Sequence, residues 1–461
     1  MTYLVELLWL LLLIIAVAAP LRWSMVALLC ISTIDFGGGR GSFAIFNVVK
    51  GLGLPIVLLF RLRAQSGHRR IIPAVVAWVL LMVYAGIAGF WSLFPFSALK
   101  LVVQMLGTLV TVIALVRATK GGFLSASTAV WAAAGSLVLA VVATYVTHGW
   151  ADEPGRFTSF MSAQGFAAFL VGLYCVILCG QGVRGRTRIT IAVAIALAII
   201  ADGSRIWFIG LLVSSVVALM LSRQRTSVKI CATALSIGIV TVTLALPDTL
   251  FSALPESALR NRIFAAGKAA YEGDFSSAQL GTLNFRRRID ETAMHEIENS
   301  SITEVMFGHG TCNGAAIAGS QFRLYSEFGD PNRAFHNEWM RVFYEWGVAG
   351  AVLWLTLIGS LCAYGIKALR LNGGGDGKPL LAYMPGFFIA LATENMLAGS
   401  VNAVSMGFLF TVALATIPHR EFAERVALRH SFKDQFAKGP AYQSVRGRRN
   451  RRQDFLCTGD T

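Results

Sequence analysis

Charge is scarce in this sequence. Only 14% of its 461 residues are Asp, Glu, Lys or Arg while 55% are hydrophobic, whereas ordinary soluble domains carry roughly a quarter charged residues. That balance excludes an ordinary water-soluble globule and indicates a chain that crosses a membrane many times. Cysteine is equally uninformative as a framework: the seven cysteines follow no metal-ligand or disulfide spacing, and only Cys312 falls in the one large polar loop. That loop therefore holds no internal disulfide. No strand-like alternation supports a sheet, no segment repeats, and GHGTCNG at 308–314 lacks the Lys-Ser/Thr ending of a nucleotide P-loop. A cleaved signal peptide is not expected, because the first apolar run has no basic residue before it and passes through Pro20 into a second.

What remains is a series of apolar runs suited to a bilayer core of about 30 Å. They lie at 4–19, 22–36, 43–60, 71–90, 101–117, 122–147, 161–180, 189–202, 206–222, 229–247, 343–366, 379–397 and 400–417. The first two are short and form either a hairpin or one bent element, so the expected count is twelve or thirteen spans. The predicted fold is all-α: a polytopic helical membrane protein with one large, mainly helical periplasmic loop. Its expected parts are an N-terminal bundle (1–247), the loop (248–342), C-terminal transmembrane helices (343–418) and a basic, disordered cytoplasmic tail (419–461). Within the loop, helices are expected at 256–270 and 284–298.

The net charge of +15 does not signify nucleic acid. Lys and Arg cluster in alternate turns, at Arg61 to Arg70, Arg117 and Lys120, Arg184 to Arg188, Arg223 to Lys229 and Lys367 to Lys378, and again in the tail. The positive-inside tendency makes that side cytoplasmic. The loop and the short turns near Arg40, Lys100, Arg156 and Arg205 then face the opposite side, which in bacteria would be the periplasm.

Candidate chemistry collects on that outer side. His336, followed by Asn337, stands where a polar segment becomes an apolar helix, and a histidine at such a boundary can act as general base or simply bond a loop carbonyl. Glu338 is a rival base on another face. Read as one helix, residues 333–350 bring His336, Phe343, Gly347 and Gly350 near one face and set Glu345 opposite, four residues after Arg341, as half of a helix-surface ion pair. Arg205 opens a helix after Ser204, which is placed to cap it. An arginine beside first-turn amides can bind phosphate or can snorkel to headgroups. Arg286, Arg287 and Arg288 point three ways on a helix, so at most two share a target, and Asp290 and Glu291 offer surface partners. Arg156 sits at another outer turn, as structure or as substrate contact. His295 with Glu291 or Glu298 has helical spacing, but no second histidine completes a metal site. Neither a metal nor another cofactor is expected.

Taken together, HNEWMRVFYEWGVAG resembles the His-Asn, then Glu-x-Gly-x-x-Gly signature of the O-antigen ligase and O-antigen polymerase superfamily. SRIWFIG resembles its Ser-Arg helix start, and LNFRRRIDETAMHEIENSSITEVMFGHG its Arg-led segment ending in Gly-x-Gly. WSLFPFSALK and GRFTSFMSAQGFAAF are similar to further outer-turn elements. The chain departs from the pattern by lacking the usual tryptophan of the Arg-led segment, the proline before Gly308, and a Pro-Asn where residues 163 and 164 read Ala-Gln.

The resemblance implies a metal-independent, inverting glycosyltransferase that moves glycan from an undecaprenyl-diphosphate-linked oligosaccharide to a sugar hydroxyl of an acceptor glycan. By the same resemblance Arg205 and one of Arg286, Arg287 and Arg288 hold the diphosphate, and His336 is the base or orients the acceptor. Arg156, Asn337 and Glu338 are possible substrate contacts. The expected activity is polymerisation of O-antigen or exopolysaccharide repeat units among membrane lipids, with chain-length regulators or export proteins as candidate partners. Three alternatives stand beside it: a ligase acting on lipid A core, a secondary transporter or lipid-linked glycan flippase, and a scaffold of an export complex.

Overall fold

The computed structural model describes residues 2–34, 48–62, 72–146, 157, 163–179, 186–202, 204–221, 281–321, 335, 337–371 and 377–392. The runs expected at 229–247 and 400–417, the helix at 256–270 and the tail lie outside the described residues. Every regular element among the described residues is helical. In chain order these are α1 (Thr2–Ala18), α2 (Leu21–Ile31), α3 (Leu54–Arg61, entered through a π-helical turn at Val49–Gly53), α4 (Ile72–Ala88), α5 (Pro95–Lys120), α6 (Ala126–Val146), α7 (Ala163–Cys179), α8 (Arg186–Asp202), α9 (Arg205–Met220), α10 (Gly281–Glu298), α11 (Ile302–Phe307), α12 (Gly314–Gln321), α13 (Glu338–Leu371) and α14 (Lys378–Leu391).

Among the described residues four helices are long and apolar enough to cross a membrane, namely those over Pro73–Trp91, Pro95–Thr119, Ala126–Tyr145 and Glu338–Arg370. Five shorter apolar helices accompany them. Their outward faces carry apolar stripes at helical spacing, such as Leu7, Leu10, Ile14 and Val17 on α1 and Val76, Leu80, Val83 and Ile87 on α4, all exposed. In water such stripes would be a liability; in lipid they are the solvated surface. The chain is an all-α polytopic membrane protein.

Inside the bundle, small residues let backbones approach. The buried face of α6 is Ala129, Ala132, Ala133, Ala140 and Ala143. Arg61, at the end of α3, donates to the carbonyls of Ala16 (3.2 Å) and Ala19 (2.7 Å) and to Ser24 Oγ (2.8 Å). It therefore neutralises the C-terminal end of α1 and brings the ends of α1 and α3 to one side of the bundle, as alternate crossings require.

Helix α14 packs on α9, α7 and α13. Pro379 lies in its first turn and Pro385 inside it, where the missing N–H and the ring disfavour a straight helix. The next residue, Gly386, meets Gly210 of α9 so closely that a Cβ on Gly386 would stand 3.1 Å from Gly210 Cα, Gly210 O and Ser214 Oγ. A Cβ on Gly210 would find only ordinary contact, at 3.4 Å or beyond. Gly386→Ala is accordingly expected to destabilise the detergent-solubilised protein by on the order of 1 kcal/mol. Gly210→Ala should leave its thermal unfolding midpoint nearly unchanged, and a scan of both variants checks the difference.

Candidate active site

The helix expected to begin the site starts at Glu338 and does not run straight. Gly347 has φ 60° and ψ −163°, a conformation only glycine adopts cheaply, and it breaks α13. Phe343, Gly347 and Gly350 therefore do not share one continuous helical face, contrary to the sequence expectation. The break exists because another backbone occupies the space. A Cβ on Gly347 would stand 2.6 Å from Gly308 N, Met306 C and Val305 O, and one on Gly308 (φ 79°) would stand 2.2 Å from Glu345 O. The loop after α11 thus lies directly on the main chain of α13.

Hydrogen bonds fix that loop on three sides. His309 N and Gly310 N donate to the carbonyls of Tyr344 and Glu345, both at 3.0 Å. The hydroxyl of Tyr84 on α4 donates to Phe307 O and Trp346 O, each at 3.0 Å, and Trp91 Nε1 donates to Gly308 O at 3.2 Å. Thr311 Oγ1 donates to Ala85 O (2.6 Å) and accepts from Trp346 Nε1 (2.9 Å). Asn313 Oδ1 accepts from Ser92 Oγ and Leu93 N, while its amide donates to His309 O. Cys312 turns through φ 69°. Burial pushes its thiol well above the ordinary range, so it is an inert part of the turn.

The face of α13 turned towards this loop is charged, and here the expectation for Glu345 is overturned. Glu338, Arg341 and Glu345 recur at i, i+3 and i+7 and are all buried, with 0%, 1% and 1% exposure. Arg341 pairs with Glu338 at 2.7 Å, and Glu345 Oε1 accepts from Gly314 N at 3.2 Å. The pair is no surface bridge, because the 308–314 loop and α12 fold back over the side of the helix that spacing alone left open. Glu338 is held in this network. His309 stacks on Tyr344 at 4.2 Å, and Tyr344 Oη donates to Glu296 Oε2 at 2.6 Å, so the loop, α10 and α13 are clamped together.

Helix α10 covers the start of α13. Ile289 and Ala293 pack with Ile317, Ala318, Phe335 and Tyr344 in a core separate from that of the bundle. Along the same edge Asp290 Oδ2 accepts from Asn337 Nδ2 at 3.2 Å, and Asn337 Oδ1 accepts from Met340 N at 3.2 Å, capping α13. Burial raises the Asp290 carboxyl, with the Asn337 bond and nearby Arg286 acting against the shift. Among the three arginines the structure distinguishes clearly. Arg286 is half-buried beside Asp290, Arg287 is exposed and pairs with Glu291 at 2.6 Å, and Arg288 is exposed.

His336 and Arg156 lie outside the described residues. Arg205 is the first residue of α9; Ser204 before it is extended, and contrary to expectation its side chain makes no capping bond. Phe157 N donates to Ala201 O at 3.2 Å, which joins the outer turn after Arg156 to the end of α8. An aromatic row on α14 connects the starts of α9 and α13: Trp207 stacks on Tyr383 (6.2 Å), Tyr383 meets Phe387 (6.0 Å), Phe387 meets Phe388 (6.5 Å), and Phe388 stacks on Trp339 (6.2 Å).

Helices and site together define a membrane protein whose candidate chemistry stands at helix starts beside a glycine-locked loop. Residues 190–355 match the family model described as O-antigen ligase, and this match supports the resemblance to the O-antigen ligase and polymerase superfamily. The match supports glycan transfer of that general type, and thus an enzyme. No curated protein matches the chain.

Gly347→Ala and Gly308→Ala should each lose several kcal/mol of stability, since strain at positive φ costs about 1–3 kcal/mol and backbone overlap adds to it. Gly359→Ala on the same helix, where a Cβ meets nothing within 4 Å, should be neutral or slightly stabilising. The yield of folded protein and thermal melts of the three variants check this ordering.

Proposed function

We propose that this protein is an inner-membrane glycan polymerase that joins undecaprenyl-diphosphate-linked repeat units at the periplasmic face. The observation that carries the reading is the docking of α10 on the start of α13. It bonds Asp290, which has Arg286 near it, to Asn337, the residue after His336, in a chain whose residues 190–355 match the O-antigen ligase family model. The distribution of Lys and Arg supports the periplasmic placement.

In the proposed reaction the acceptor hydroxyl attacks the anomeric carbon of the donor sugar from the side opposite the diphosphate. The new glycosidic C–O bond forms as the bond from carbon to phosphate oxygen breaks, inverting the centre. His336 accepts the hydroxyl proton, and undecaprenyl diphosphate leaves with the bonding pair. Arg205, at the head of α9, and Arg286 stabilise its developing charge, and fixed positive charge at the leaving group is the main rate contribution. Asn337, which follows His336 in the sequence, caps α13.

Arg286 is chosen over its neighbours because Arg287 is committed to an exposed i, i+4 pair and Arg288 is turned outward. The family description favours one second reading, transfer of finished glycan to lipid A core, which differs only in the acceptor. Purified protein supplied with undecaprenyl-diphosphate-linked repeat units and no lipid A is expected to lengthen the glycan. Product of unit length only, with transfer restored by lipid A core, would establish the ligase instead.

In the same assay Arg286→Ala should reduce turnover roughly a hundredfold, the usual effect of removing one charge-stabilising donor. Arg287→Ala should stay within about twofold, as exposed pairs contribute little. Full activity of His336→Ala would overturn the base assignment.

A further inference from the structure

The short helix α11 stands in the polar loop yet presents apolar side chains. None of its six residues is buried; Ile302 is 82% exposed, Met306 43% and Phe307 49%. At about 100° per residue Ile302 and Met306 lie close together, and Glu304 points roughly 160° away from both. Glu304 is held there by a capping box with Ser301, whose hydroxyl and amide lower its carboxyl from the ordinary value. It therefore stays charged on the side opposite Ile302 and Met306, with Phe307 about 60° away from it on the flank of the helix.

The position of α11 is fixed by its C-terminal end. Phe307 O and the loop that follows are bonded to Tyr84 and Ala85, in the last turn of α4 and within the span Pro73–Trp91. The helix consequently ends at the depth where that span ends. The segment after α4 also bears the exposed apolar side chains of Phe90, Leu93 and Phe96, and the Trp91 Nε1 bond to Gly308 O joins that segment to the loop.

We propose that α11 is seated in the boundary between headgroups and acyl chains of the bilayer leaflet at this end of the bundle. Ile302 and Met306 enter the lipid and Glu304 faces water. Amphipathic helices settle in this way, about 5–10 Å into the interface. The occupant of the apolar face is lipid because the carbonyl that ends α11 is bonded by Tyr84, which lies about 40° from Leu80 and about 60° from Ile87 of the exposed apolar stripe on α4. Since α11 ends at Gly308, which rests on Gly347, the bilayer surface then helps to hold the loop over the start of α13. This proposal is independent of the glycan-transfer reading.

The test places an environment-sensitive fluorescent amino acid at position 302, and separately at 304, in the full chain reconstituted in phosphatidylethanolamine and phosphatidylglycerol vesicles. Both side chains are exposed; replacement at 304 gives up the carboxylate half of the capping box but keeps the bond from the 304 amide to Ser301 Oγ, and elution as a single species in detergent verifies folding. Position 302 should be quenched several-fold more strongly by lipids carrying a nitroxide near the headgroup than by iodide, and position 304 the reverse. Quenching at 302 by iodide alone would place α11 in water. Protection from both quenchers would place it against protein, a second copy included. Either result overturns the proposal.

Discussion

The contact of two glycine backbones, Gly308 on Gly347, is the constraint on which the seating of the 308–314 loop on α13 depends. Neither position tolerates a Cβ, since the separations at both are far below van der Waals distance and both have positive φ. Close approach at one point lets His309 and Gly310 reach the carbonyls of Tyr344 and Glu345, groups that a straight helix would have kept for itself. The break in α13 thus frees acceptors and the loop supplies the donors, so buried polar backbone is satisfied on both sides. It also divides one long apolar helix into two parts. The stretch beyond Gly347 to Leu371 is on the order of 35 Å long at 1.5 Å per residue, enough to cross a bilayer core, and the preceding turns are free to carry charge.

Those preceding turns carry an unusual amount of it. Two carboxylates and one guanidinium are fully buried on α13, an arrangement that is costly unless each charge is paired or hydrogen-bonded. Arg341 answers Glu338 directly, and Glu345 is answered by the amide of Gly314. A Cβ on Gly314 would stand 2.4 Å from the Phe335 ring and 3.0 Å from Glu345 Oε1, so this glycine is what lets the amide come within reach. The network specifies how the loop is seated more than it adds stability. A purely apolar face would pack against the loop in several registers, whereas a carboxylate seeking one amide accepts one.

The pattern of the bundle was readable from the sequence, because apolar runs bounded by Pro, Gly and basic clusters are physically sufficient to define helices in lipid. The helix at 284–298 was readable for a similar reason: Ile289, Ala293 and Ile297 recur at the spacing of one buried edge. The surroundings of Glu345 were not. Helical spacing from Arg341 correctly indicates proximity, but whether that face meets water or protein depends on a loop some thirty residues earlier returning over it, a nonlocal event with no local signature. The kink was equally hidden, since glycine in Glu-x-Gly-x-x-Gly serves helix packing and helix breaking alike. Of the three arginines, periodicity limits how many share a target, and the bonds from Asn337 to Asp290 and from Tyr344 to Glu296 show which edge of α10 faces α13.

The starts of α9 and α13 lie far apart in sequence, and α14 provides the material link between them. Its aromatic row runs from Trp207, two residues into α9, to Trp339 at the second position of α13. Trp207 and Tyr383 are wholly buried, and large rings in a packed interior have few alternative positions. Displacing α14 by one turn would separate both stacks at once and would force the Gly386 crossing past Gly210. The spacing between the two helix starts is therefore set by a rigid element that itself bears none of the candidate chemistry. In the proposed transfer, where Arg205 would meet a leaving diphosphate and His336 the attacking hydroxyl, that spacing is the quantity to be conserved as substrates enter and depart, because misplacement by even about 1 Å is costly to rate.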